Sequence, residues 1–393
     1  MRTPQADKTQ LPLVWAEVDL DALRNNLRVI RARLAGSQAD VLAIVKADAY
    51  GHGVKPVAKA LAEEGVDFFG VASIDEAVEL RKVCPRAQIL VLGSFHAEQI
   101  PFYRRCRAIP TVSSLEDAGL LEASAVGRPP LVAHVKIDTG MGRLGVWHGE
   151  AGRFFEGLRK MRRLRVDGIY THFANADHPD GRLTKKQMQA FDTVRRLARG
   201  YGFSPRYWHA ANSMGLLRFK DARLNLVRPG IVLYGMNPAS GDKAARAGFM
   251  KGLKPVLTLK TRIAFLREVD KGRSISYGST HVTRRKTRIA TLPIGYSHGY
   301  RVGFSNAAQV LVRGVRCPVV GRVTMDQTLI DVGAVRGVRR WEEVVLIGGK
   351  GGATAEELAA ILKTVSYEIT CGIHSRIPRF YSGADARSRL ART

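Results

Sequence analysis

The feature that most constrains this fold is a regular alternation of short β-rich runs with helical patterns. After an opening stretch, LDALRNNLRVIRARLAG, eight runs follow one another: VLAIVKA (41–47), DFFGVAS (67–73), QILVLG (88–93), AIPTVSS (108–114), VAHVKID (132–138), VDGIYTHF (166–173), YWHAAN (207–212) and LNLVRPG (224–230). Patterns such as VKPVAKALAEEG and LTKKQMQAFDTVRRLARGYG, apolar at helical spacing, separate most of them. Eight strands alternating with helices over about 230 residues predict an α/β fold, a (β/α)8 TIM-type barrel. From about residue 250 the texture changes to closely spaced β runs, among them TRIATLPIGY, AQVLVRG, VRCPVVG and EEVVLIGG, and only TAEELAAILK (354–363) reads as a helix. The expected organisation is therefore a barrel over 12–248 and a mainly β domain over 249–383. Residues 1–11 are a candidate addition to the second domain, and the basic end, 384–393, is expected to fray.

A chain of 393 residues with 45% hydrophobic content can build both cores. No apolar run reaches the length of a membrane span, and MRTPQADKTQ lacks an apolar signal core, so a soluble cytoplasmic protein is expected. Cys84, Cys106, Cys317 and Cys371 form no CxxC pair and read as reduced thiols, with no metal site. The formal charge of +27 is the outlier. Its runs, RKMRRLR (159–165), RRKTR (284–288) and ARSRLART (386–393), are dispersed and lack any RNP or zinc-finger pattern. They read as solvated basic faces with some non-specific affinity for polyanions, and no specific nucleic-acid partner is expected.

In such a barrel the functional groups stand at the C-terminal ends of the strands. That rule selects Lys46 after the first run, Lys136 and Asp138 in the fifth, His172 in the sixth, Asn212 and Ser213 after the seventh, and Arg228 and Gly230 in the eighth. Each has a bland alternative: Lys46 snorkels to solvent, His172 is a satisfied core histidine, Arg228 is a rim charge. Together they bring an amine, an imidazole, a hydroxyl and a guanidinium to one mouth. A partly desolvated lysine there can form a Schiff base. Ser213 opens the helical stretch SMGLLRF, where a hydroxyl and free N–H groups suit a phosphate, and Gly230 permits close backbone approach. The rival phosphate loop IGGKGG (347–352) lacks the P-loop spacing and its Lys-Ser/Thr ending, and reads as a turn.

The motifs WAEVDLDALRNN (15–26), VKADAYGHG (45–53), KIDTGMGRLG (136–145), YTHFA (170–174), NSMG (212–215), VRPGI (227–231), SYGST (276–280), PIGYSHGY (293–300) and GRVTMDQ (321–327) occur in that order. In these the chain resembles alanine racemase, a fold-type III pyridoxal phosphate enzyme. The resemblance implies interconversion of L- and D-alanine by two bases, supplying D-alanine for cell-wall peptidoglycan. It implies that Lys46 carries pyridoxal 5'-phosphate as a Schiff base, that Tyr50, Ser213, Gly230 and Ile231 hold the phosphate, and that Arg228 meets the pyridine nitrogen. Arg143 and the backbone of Met325 would orient the substrate carboxylate, and Tyr277 would be the second base, with Lys46 the first. Lys136, His172 and Asp326 would be supporting residues: Lys136 through carbamylation or as a plain lysine paired with Asp138, His172 by linking Tyr277 to Arg228. The family's symmetric homodimer would place Tyr277 and Met325 in the partner's site.

One departure stands out. In CGIHSRIPR (371–379) Ser375 occupies a position where many relatives carry a tyrosine. A shorter hydroxyl there opens room beside a methyl-sized pocket and implies a side activity on serine, unless His374 or Tyr381 fills the vacancy. The alternatives are a broader-specificity amino-acid racemase and a fold-type III amino-acid decarboxylase. SYGST argues against the second, since such decarboxylases use a cysteine where this chain has a tyrosine. A small pyridoxal-binding homeostasis protein would lack the second domain.

Overall fold

A computed structural model describes residues 12–238 and 248–383. The expectations for 1–11 and 384–393 fall outside the described residues. Strand β1 (Val14–Asp19) leads into a helix at Leu20–Arg33, and Asp19 makes the junction: its carboxylate accepts the N–H groups of Asp21 and Ala22 at 2.9 Å, a helix N-cap. The barrel strands follow: β2 (Asp40–Ile44), β3 (Phe68–Val71), β4 (Gln88–Val91), β5 (Thr111–Val112), β6 (Leu131–Asp138), β8 (Leu164–Tyr170), β9 (Tyr207–His209) and β10 (Leu226–Val227). The short β7 (Val146–Trp147) pairs only with β6. Two parallel arcs, β10-β2-β3-β4 and β5-β6-β8-β9, make up the wall. Ile109 joins them on one side, donating to Ile89 O at 2.7 Å and accepting from Val91 N at 2.9 Å; Arg228 N to Ala211 O, 2.9 Å, joins them on the other. The (β/α)8 expectation holds, with all eight runs in place.

Alternation along the strands decides what fills the lumen. Leu42, Ile44, Phe68, Leu90, Ile109, Tyr207 and Leu226 form a buried apolar plug of their own, apart from the larger core under the helices. Continuing the same parity upward from Leu42 and Ile44 reaches Lys46; from Tyr207 it reaches His209, from Leu226 it reaches Arg228, and His134, Lys136 and Asp138 share one face of β6. The charged layer thus sits on an apolar floor.

The first domain boundary needs correcting. Residues 12–19 do not belong to the barrel: β1 pairs antiparallel with Leu257–Arg262 and parallel with Arg379–Ser382. It lies inside a six-stranded sheet that also contains Glu343–Ile347, Gln309–Val312 and Val315–Pro318. Val14, Ala16 and Val18 are buried there against Leu257 and Leu259. The β domain carries a second helix, Ser366–Cys371, besides Ala355–Leu362. IGGKGG is a turn after its strand, as expected, with Gly348 N donating to Ala353 O at 2.7 Å.

Part of the positive charge has a structural use. Arg81 donates to the carbonyls of Cys106, Pro85 and Ala87 at 2.7–3.0 Å, Arg104 to Pro129 O at 2.9 Å, and Arg33 to Phe249 O at 2.7 Å. These guanidinium groups satisfy carbonyls at a helix end, as at Cys106, and in the connections between elements, as at Pro85, Ala87 and Pro129. Arg159, Lys160, Arg162, Arg163 and Arg165 are exposed on the connection into β8. No helix among the described residues is long and apolar enough to cross a membrane.

Candidate active site

Lys46 stands one residue beyond the position where the first barrel strand would continue, half-buried above the plug. Burial and the neighbouring Arg143 guanidinium push its amine below the usual lysine range. The next four residues, Ala47, Asp48, Ala49 and Tyr50, all have left-handed backbone, with φ of 53°, 51°, 55° and 55°. Such a turn costs roughly 1–2 kcal/mol per non-glycine residue, so specific bonds must hold it. Val54 N donates to Asp48 Oδ1 at 2.7 Å and Ala47 N donates to Glu76 Oε1 at 2.7 Å. His52, fully buried and pushed down to about 4 chiefly by that burial, is neutral at pH 7; its Nδ1–H is 3.0 Å from both Ala49 O and Tyr50 O. Gly51 closes the turn with φ of 81°, and a β-carbon there would collide with the carbonyl of Thr370 on the Ser366–Cys371 helix. The glycine-rich YGHG run is thus the price of bending the chain back beneath its lysine.

The left-handed turn aims Tyr50 at Gly230. A β-carbon at Gly230 would lie 2.5 Å from the Tyr50 hydroxyl. Gly230 N donates to Ser213 Oγ at 3.0 Å, and Ser213 opens a helix capped by Asn212, whose Oδ1 accepts Gly215 N at 2.9 Å. The Tyr50 and Ser213 hydroxyls therefore meet the backbone of Gly230 and Ile231 in a cradle that a side chain at 230 would fill. Tyr50 is backed by the rings of Tyr234, 5.0 Å away, and Tyr367, 6.2 Å away.

Arg228 is buried behind this cradle. Its Nη2 donates to Thr171 O at 2.6 Å and Ala210 O at 2.9 Å, and its Nη1 donates to His209 Nδ1 at 2.9 Å. His209 Nε2 is 3.0 Å from His134 Nδ1. Burial first, and the Arg228 charge second, hold both imidazoles well below their usual range, His134 down to about 3. With both neutral, the protons order one way: Arg228 donates to His209, which donates to His134. Tyr170 stacks on His209 at 4.6 Å and places its ring 5.3 Å from the Arg228 guanidinium carbon. Burial lowers Arg228 only to about 10, so it remains cationic at neutral pH.

Asp138 folds the KIDTGMGRLG loop around itself. Its carboxylate accepts Gly140 N and Met141 N at 2.8 Å and Arg143 N at 3.2 Å. The expected alternative pairing of Lys136 with Asp138 is absent among the described residues, because those backbone amides take the carboxylate. Lys136 is buried, its Nζ 5.6 Å from the centre of the Tyr170 ring. Burial and the cations Arg143, Arg228 and Lys46 push it down to about 8. His172 is held well below its usual range by burial and the same cations. Among the described residues Arg228 Nη1 bonds His209, and no hydrogen bond joins His172 to Arg228 within one chain.

Tyr277 and Met325 lie apart from this mouth, 71% and 54% exposed on the β domain. Their loops are tied together: Ser276 Oγ donates to Arg322 O at 2.6 Å. Ser297 N donates to Met325 O at 3.0 Å, and Ser297 Oγ to Asp326 Oδ1 at 2.9 Å, so Asp326 braces the Met325 loop. Among the described residues neither Tyr277 nor Met325 bonds to the barrel mouth. Ser375 is exposed. His374 Nδ1 accepts Arg376 N at 3.1 Å, and the Tyr381 hydroxyl lies against Gly53.

Residues that the motifs alone did not single out are Glu76, His52, His134, His209 and Tyr367. The signal for two of them was present, since His134 and His209 share the inward parity of Lys136 and Tyr207.

Residues 18–238 match the family described as Alanine racemase, N-terminal domain, and residues 256–381 match Alanine racemase, C-terminal domain. The chain belongs to the alanine racemase family. With the family come the isomerases as its enzyme class and the barrel-plus-β architecture seen above. The alanine racemase of Symbiobacterium thermophilum is 44% identical over 376 residues, covering 95% of this chain and 98% of that one. That of Geobacter sulfurreducens is 43% identical over 385 residues, with 95% and 98% covered. Among solved structures, the Bacillus anthracis alanine racemase with bound L-Ala-P superposes with a TM-score of 0.87 at 36% identity, over 95% of this chain and 96% of that one. The biosynthetic enzyme of Pseudomonas aeruginosa gives 0.85 at 32%, over 95% and 100%.

Proposed function

We propose that the chain interconverts L- and D-alanine with pyridoxal phosphate, in a homodimer whose two sites each draw on both subunits. The observation that carries this is one mouth holding a desolvated amine, a two-hydroxyl cradle at Gly230 and a buried guanidinium. The cradle fits a phosphate in donor chemistry, and Lys46 at the same mouth fits the aldehyde-bearing end. When bound, pyridoxal phosphate supplies an electron sink for the bond to the substrate α-carbon.

The residues do the rest. Racemisation removes a proton from one face of a carbon and returns one to the other, which two opposed bases achieve. Lys46 Nζ, depressed by burial and Arg143, handles one face. Tyr277 of the partner subunit handles the other. The cations of the mouth favour its phenolate, and the neutral His172 imidazole is the nearby acceptor. Arg228, cationic and locked by Thr171, Ala210 and His209, gives a hydrogen bond to a ring nitrogen without delivering a proton, which limits side reactions. Arg143 and the Met325 N–H bind the substrate carboxylate.

Lys136 would otherwise add an unpaired cation beside Arg143. Its depressed amine attacks carbon dioxide, forming an N–C bond and releasing a proton, and the resulting carbamate anion positions Arg143. Exposed apolar side chains on the β domain, among them Tyr277, Met325, Tyr296 and Val302, support a homodimer that would take them out of water. The product D-alanine serves cell-wall peptidoglycan.

The test is direct. The purified chain should hold a yellow chromophore that borohydride fixes to Lys46, and L-alanine should lose its optical rotation. Retention of both by Lys46→Ala would overturn the assignment.

A further inference from the structure

Helix Ile74–Val83 begins with Ser73-Ile74-Asp75-Glu76, the spacing of a capping box. In a capping box the glutamate returns to the N–H of its own cap residue. Glu76 does something else. Its Oε2 accepts Ala72 N at 2.6 Å, the residue after β3, while its Oε1 crosses to the neighbouring strand end and accepts Ala47 N at 2.7 Å. Ala47 is the first residue of the left-handed turn and the immediate neighbour of Lys46. The cap bond that remains is Glu76 N to Ser73 Oγ at 3.4 Å.

We propose that Glu76 is a positioning residue of this site: its carboxylate clamps the left-handed turn between Lys46 and Tyr50 to the end of the second barrel strand. The inference rests on the reading of Lys46 and Tyr50 as the two ends of the cofactor site. Lys46 leaves the turn at its start and Tyr50 at its end, so the spacing of amine and phosphate cradle is the geometry of that turn. Four left-handed residues in a row would relax toward ordinary backbone if released, and Ala47 is where release begins. Asp48 and His52 hold the turn from its far side; among the described residues Glu76 is the side chain that bonds Ala47, whose other backbone bond, Gly51 N to Ala47 O at 3.0 Å, lies within the turn itself. Its negative charge also favours the protonated amine, against burial and Arg143.

The test uses the full-length chain and two readouts besides racemisation. One is pyridoxal phosphate affinity by titration. The other is the pH midpoint of Lys46 acetylation by acetic anhydride in cofactor-stripped chain, read by peptide mass. Glu76→Gln should weaken cofactor binding by about tenfold or more and move the acetylation midpoint to lower pH, since the raising charge is lost. Glu79→Gln, one turn along the same helix and ion-paired with Lys55, should change neither. Ala47→Gly removes the penalty for left-handed backbone. The double variant Ala47→Gly/Glu76→Gln should therefore recover most of the affinity while keeping the lowered midpoint. Parental affinity and midpoint in Glu76→Gln would overturn the proposal, as would a double variant that binds no better than Glu76→Gln. If Glu76→Gln fails to fold, a folded double variant that regains cofactor supports the clamp, and one that stays unfolded refutes it. Failure of the parent chain to bind pyridoxal phosphate would refute the reading of the site itself, a separate result.

Discussion

Gly230→Ala probes the phosphate cradle with one carbon atom. The new Cβ would stand 2.5 Å from the Tyr50 hydroxyl, 3.2 Å from Tyr50 Cζ and 3.5 Å from Ile44 Cβ. The last two are tolerable or nearly so; the first requires the hydroxyl to retreat by about 1 Å to reach ordinary van der Waals separation. Tyr50 cannot swing away freely, because Tyr234 and Tyr367 pack its ring. Overpacking of this kind costs about 1–3 kcal/mol, a fall of roughly 2–4 °C in Tm per kcal/mol for a domain of the barrel's size. On the proposed reading the hydroxyl that moves holds the phosphate, so pyridoxal phosphate affinity should fall by about tenfold or more, the worth of one charge-assisted hydrogen bond. Removing the colliding atom separates the effects. In Gly230→Ala/Tyr50→Phe the steric loss should largely vanish while the affinity loss remains, a non-additivity expected only between touching residues. Thermal melts of the cofactor-free chain and a cofactor titration measure the two quantities. An unchanged melt and affinity in Gly230→Ala, or a double variant no more stable than the single, would refute the cradle.

Four further outcomes are expected. Mixed dimers of Lys46→Ala and Tyr277→Phe chains contain one doubly damaged and one intact site, so activity should return on mixing; heterodimers that form but stay inactive would show that each chain completes its own site. Lys136, depressed to about 8, gains neutral amine as pH rises through that value; the 13C-carbamate NMR signal from labelled bicarbonate should grow from about pH 7 to 9 and be missing in Lys136→Ala. The folded chain sheds this proton earlier than the unfolded chain, so Lys136 adds to stability as pH rises from about 8 toward 10.5, and the same dependence should weaken in Lys136→Met. Ser375→Tyr should lower kcat/KM for L-serine relative to L-alanine; a parent chain that ignores serine, or an unmoved ratio, would end that reading of Ser375.

The sequence by itself determined the elements whose signals are local. Eight alternating strands and the lysine at the top of an apolar strand both follow from patterns a few residues long. The candidate site residues on the barrel were legible for the same reason: parity along a strand tells which side chains face the lumen. What only the tertiary structure decided involves groups distant in the chain. Val14–Asp19 has the pattern of any half-buried strand, and nothing local says that its partners lie at 257–262 and 379–382. Lys136 and Asp138 look like a pair two residues apart, yet the loop's own amides capture the carboxylate, because a carboxylate that folds a turn beneath it gains several bonds where the lysine offers one. Left-handed backbone at four non-glycine residues contradicts every local preference, and it persists only because Glu76, Asp48, His52 and the packing of Gly51 on Thr370 together outweigh it. Propensity reports what a segment prefers alone; the site depends on contacts that form only when segments far apart in the chain have met.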